Sequence, residues 1–133
     1  MTSKVIFKGD LRTKAHHLQS GNFIVTDAPV DNQGKGEAFS PTDLVATALA
    51  SCMLTIMGIV AERNNTELKG TTAEVEKIMG TMPRQISEIK IKILFKKNFD
   101  KITKRKLESA ALTCPVSNSL NKNLEESVTF IYP

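Results

Sequence analysis

Between Asp43 and Glu62 the chain carries no charged residue. The uncharged run LVATALASCMLTIMGIVA, Leu44 to Ala61, is the feature that most limits how this sequence can fold. Its start is marked by several local rules at once. Ser40 is a good N-cap and Pro41 suits the first helical position. Asp43, three residues after Ser40, completes a capping-box-like S-x-x-D, and Phe39 and Leu44 occupy the staple positions on either side. The run sits at the lower edge of the length that spans a bilayer, about 20 residues. It is rich in Ala, Thr and Ser, it is the single such segment, and the rest of the chain is polar. A helix that is apolar all round can be buried in a protein core instead. One small subunit can hardly bury it alone, which points to a partner chain, most simply a homodimer.

The length of 133 residues suits one domain, residues 1–133. The net charge of +4 is a weak attraction for nucleic acid, and the lysines cluster where a strand and a helix would face solvent. With no Trp and one Tyr, platforms for stacking bases are scarce. These features argue against a nucleic-acid partner, and the lone apolar run argues against a membrane. Met1 to Gly9 lacks the pattern of a secretory leader. Two cysteines in such a chain point to a reducing cytoplasm, where pairs that do bridge are usually transient and catalytic.

Outside the helix, residues 4–9 and 22–27 read as short strands, with Arg12 to Gln19 a third candidate and Ala28 to Ala38 a loop. Residues 67–79 and 86–97 read as a long hairpin. In the second of these strands Ile89, Ile91, Ile93 and Phe95 alternate with lysines, as a half-buried strand requires. Thr103 is read as the cap of a further helix, stapled by Ile102 and Leu107. Cys114-Pro115 interrupts that helix, a short helical turn follows to Leu120, and residues 127–132 form a last strand. The order of elements gives an α+β chain with an antiparallel sheet.

The two cysteines are the main candidates for chemistry. Zinc is disfavoured, because there is no Cys-x-x-Cys pair, and His16 and His17 would point to opposite faces of a strand. The H-E-x-x-H, P-loop and G-x-G-x-x-G patterns are absent. Taken alone, Cys52 sits among Ala48, Leu49, Thr55 and Ile56, where a thiol behaves as a small hydrophobe and burial suppresses its thiolate. Cys114, before Pro115 at a helix N-terminus, reads as the more acidic sulfur, or as a plain cap that packs inward.

The segments F-S-P-T-D-L-V-A-T-A-L-A-S-C-M-L-T-I-M-G-I (Phe39 to Ile59) and C-P-V-S-N-S-L (Cys114 to Leu120) together resemble the two signatures of the OsmC/Ohr family. The resemblance runs over nearly the whole chain, through G-D-L-R (Gly9 to Arg12) and the loop from Thr26 to Glu37. It is closest to the OsmC-like subgroup. It implies an intertwined homodimer in which antiparallel sheets sandwich long central helices, with active sites at the subunit interface. It implies a peroxidase, in oxidative stress defence, that reduces organic hydroperoxides and, less readily, hydrogen peroxide. By position Cys52 matches the peroxidatic cysteine and Cys114 the resolving one, joined in a redox-active disulfide. No bound cofactor is implied, and an external dithiol, lipoyl-type in parts of the family, restores the thiols.

A thiolate on an apolar helix needs a cation to offset desolvation. The family takes an arginine from the N-terminal sheet, and Arg12 lies in the matching region, with His16 and His17 as fallbacks. OsmC and Ohr proper place a glutamate directly after the helix-starting proline to hold that arginine. This chain has Thr42 there, Asp43 belongs to the cap, and Glu37 is the remaining candidate carboxylate. The departure at Thr42 keeps open an alternative: a non-enzymatic member of the fold that binds a small hydrophobic or thiol ligand at the dimer interface.

Overall fold

The computed structural model describes all 133 residues, which form two compact units, Met1–Val45 and Ala46–Pro133. The first unit is a three-stranded antiparallel meander of β1 (Ser3–Gly9), β2 (Arg12–His17) and β3 (Phe23–Asp27). The candidate strand after Arg12 is therefore real, although it ends at His17. A two-residue turn, Asp10-Leu11, joins β1 to β2 with both residues left-handed (φ 53° and 60°). That conformation matches the twist of the flanking strands in a tight hairpin. The face that carries Val5, Phe7 and Ile24 remains open, with Phe7 67% exposed.

The loop after β3 contains a short 3-10 turn, Val30–Asn32, and folds back on itself. Gly34 donates to the Pro29 carbonyl and Gly36 to the Ala28 carbonyl. At Gly34 a Cβ would lie 1.7 Å from the Ala28 oxygen, so only glycine permits this closure. The helix α1 (Pro41–Arg63) then begins as its cap residues dictate. The Ser40 N–H donates to Asp43 Oδ2 at 2.9 Å and the Asp43 N–H donates to Ser40 Oγ at 3.0 Å, a reciprocal capping box.

In the second unit α1 buries one stripe: Ala46, Leu49, Ala50, Met53, Met57 and Ala61. The steps of three and four residues keep these side chains on one face. They share a core with Ile89, Ile91, Ile93, Leu107, Ala111 and Cys114. By length and composition α1 could cross a membrane, with mean hydropathy 2.2 over its most apolar window. A third of that window is buried in this core. The opposite face, including Ala48, Ser51, Thr55 and Ile59, stays exposed, as expected of a helix one subunit cannot enclose.

The second sheet has the order β4 (Thr72–Gly80), β5 (Gln85–Leu94), β6 (Glu125–Ile131). The hairpin of β4 and β5 is antiparallel, but β5 and β6 run parallel. The expectation of a wholly antiparallel sheet thus fails at one ladder. Residues 95–124, with the helices α2 (Lys101–Leu112) and α3 (Pro115–Ser119), form the crossover that a parallel pair requires. Two boundaries also move. Residues 67–71 form a turn, in which the Thr71 N–H donates to the Leu68 carbonyl, so β4 starts later than expected. Asp100, not Thr103, caps α2: its Oδ1 accepts the Thr103 N–H at 2.7 Å. Ile102 is 66% exposed and staples nothing. Phe99, before the cap, instead packs edge-on against Phe95 and Tyr132.

Candidate active site

Cys52 is half-buried on α1 and Cys114 is fully buried, and both are free thiols. The stripe of apolar residues seats α1 against the core, and this brings Cys52 against Cys114. The helix N-terminus was expected to make Cys114 acidic, but its surroundings act the other way. Burial, first of all, pushes its thiol above the ordinary value, and the nearness of Cys52 pushes it further. The Ser117 N–H donates to the Cys114 sulfur at 3.4 Å and acts in the opposite direction without prevailing. A helix of five residues, α3 has little macrodipole with which to favour an anion.

The second cluster lies in the N-terminal unit. Arg12 Nη2 donates to Glu37 Oε1 at 2.5 Å and to Asp27 Oδ2 at 3.4 Å. The folded loop delivers Glu37, and its backbone N–H donates to Asp27 Oδ2 at 2.9 Å. Asp27 is wholly buried, whereas Glu37 remains largely open to solvent. That N–H bond holds the Asp27 carboxyl below its ordinary value, with Arg12 adding to the effect. In return Asp27, more than Glu37, raises the pKa of the guanidinium. Asp27 Oδ1 and Arg12 Nε are buried without partners.

The residues expected on sequence grounds therefore fall into two groups: Cys52 with Cys114, and Arg12 with Glu37. The fallback cations stand apart from the Arg12 cluster. His16 packs beside Phe23, and His17 Nδ1 bonds Ser20 Oγ at 2.6 Å. Thr42 lies 3.3 Å from the Ser40 hydroxyl, within the helix cap. Two participants were missed. Asp27 was read as the end of a strand but not as part of the site, although the hairpin register places it directly opposite Arg12. Glu126, on β6, accepts the hydroxyl of Ser117 at 2.8 and 3.0 Å, and the N–H of that same Ser117 donates to Cys114. Nothing local in the sequence marks that contact.

A sequence profile of the OsmC-like protein family matches residues 34–128, which include both cysteines and Glu37. The chain belongs to the OsmC-like protein family. Among solved structures, a protein from Psychrobacter arcticus is 56% identical, with a TM-score of 0.95 over 98% of this chain and 95% of that one. That protein is provisionally described as an osmotic stress induced and detoxification response protein. An organic hydroperoxide resistance protein OsmC from Legionella pneumophila is 16% identical, with a TM-score of 0.76 over 97% of this chain and 94% of that one. An organic hydroperoxide resistance protein from Elizabethkingia anophelis is also 16% identical, with a TM-score of 0.77 over 100% and 97%. At such identities the likeness establishes the OsmC fold alone. No curated protein sequence matches the chain.

Proposed function

We propose that this OsmC-like protein is a thiol-dependent peroxidase that reduces organic hydroperoxides and, less readily, hydrogen peroxide. The observation that carries this reading is the nearness of two free thiols within one packed cluster, one half-buried on an apolar helix and one wholly buried. The Cys52 thiolate attacks the terminal peroxide oxygen, the O–O bond breaks, and the alkoxide leaves and takes a proton to become the alcohol. Cys52 is then a sulfenic acid. The Cys114 sulfur displaces its hydroxyl, the Cys114 proton leaves with it as water, and the disulfide forms. An external dithiol, lipoyl-type in our reading, reduces the disulfide by two exchange steps and is itself oxidised.

Arg12 is the cation we assign to the Cys52 thiolate. The bond to Glu37 supports this assignment, because it supplies the carboxylate that Thr42 does not. The open apolar face of β1 and β3 supports a homodimer as the working form, since exposed apolar patches of this kind mark association surfaces. We place the enzyme in a reducing compartment, the cytoplasm, with no nucleic-acid or membrane partner. Mass spectrometry after one equivalent of cumene hydroperoxide tests the assignment of roles. We expect a Cys52–Cys114 disulfide in the native protein, a Cys52 sulfenic acid in Cys114→Ser, and no peroxide consumption in Cys52→Ser. A thiol at Cys52 that survives the oxidant would refute the reading.

A further inference from the structure

The peroxidase reading leaves one polar group beside the cysteines without a task. Glu126 lies on the sheet face that carries Ile89, Ile91 and Ile93, paired in register with Ile89 and continued by Val128 and Phe130. Lys77 shares its cross-strand row through Ile89. A half-buried carboxylate on a largely apolar face that also carries Lys77 is held by the hydrogen bonds it makes there. Glu126 spends both oxygens on one hydroxyl, that of Ser117. Ser117 in turn donates its backbone N–H to the Cys114 sulfur. The segment between them is α3, a helix of five residues, too short to hold its own shape.

We propose that Glu126 is a positioning residue for Cys114. By holding the Ser117 hydroxyl it fixes the turn that aims the Ser117 N–H at the sulfur, and so it governs the ease with which Cys114 closes the disulfide. This inference rests on the pairing of Cys52 with Cys114 and not on the identity of the oxidant. A buried sulfur that must carry negative charge as it attacks depends on the few donors aimed at it. Losing the anchor lets the turn rotate and withdraws the donor.

The experiment uses the full-length protein with Ser117→Ala, which keeps the N–H and the Glu126 charge but cuts the link between them. In a Cys52→Ser background, thiolate absorbance reads Cys114 alone. We expect its titration midpoint to rise, so that at a fixed alkaline pH the thiolate fraction falls about threefold or more. With both cysteines present, disulfide closure driven by diamide, which needs no peroxide, should slow to a similar degree. Glu126→Gln, whose amide oxygen still accepts a hydroxyl, should stay near the parent in both measurements. Should Ser117→Ala fail to fold, Glu126→Leu against Glu126→Gln makes the same comparison. An unchanged midpoint and closure rate in a folded variant overturn the proposal. Absence of peroxide consumption while diamide still closes the disulfide would instead count against the peroxidase reading alone.

Discussion

Asp27 and Glu37 both hold Arg12, but on different terms. Glu37 is open to solvent, and an exposed ion pair contributes little by itself. Asp27 is buried and bound to the loop backbone, so it ties the end of β3 to the segment that carries Glu37. Its folded pKa lies below the ordinary 3.8. The stabilisation that follows is present above that value and is lost as pH falls through the lower folded pKa. Asp27→Asn should therefore lower the melting temperature at neutral pH and lose less than the native protein on acidification below 3.8. Melting curves across that range check this, and parallel acid limbs in the two proteins would refute it. Asp27 was legible as the end of a strand but not as the partner of Arg12, because that pairing is set by the hairpin register. Arg12 and Glu37 were legible as residue types, and the glycines between Ala28 and Glu37 explain how they meet.

Among the elements, α1 was the most legible, because everything that starts it lies within five residues of Ser40. The reciprocal bonds of Ser40 and Asp43 predict that Ser40→Ala costs about 1 kcal/mol, as for other caps. Denaturant unfolding measures that loss, and a variant as stable as the parent would contradict the capping role. The helix α2 was legible in kind but not in its start. Thr103 was read as the cap, yet Asp100 stands three residues before it and is the stronger acceptor of a first-turn N–H. The parallel ladder of β5 and β6 was illegible for a different reason. Alternation states which residues face inward but not which way a strand runs, and that depends on a crossover through α2 and α3.

At the scale of the whole molecule the apolar surface is unevenly covered. The face of the first sheet carries Val5 at 60%, Phe7 at 67% and Ile24 at 50% exposure. We expect the protein to sediment at twice its chain mass of 14.6 kDa, and Phe7→Glu to shift it toward the monomer. A native protein that sediments as a monomer at micromolar concentration would contradict this. The same expectation arose from the uncharged helix alone. The crossover between β5 and β6 has a consequence in time as well as in space. The first sheet is a meander of neighbouring strands, which closes through short loops, whereas β6 must return across residues 95–124 to find β5. Pairings that span more chain form later in folding. Cys114 lies within that returning segment and is anchored by β6 through Ser117 and Glu126. During synthesis, then, Cys52 emerges and folds into its helix well before its partner thiol is in place, and the protein becomes able to cross-link itself only when its last strand docks.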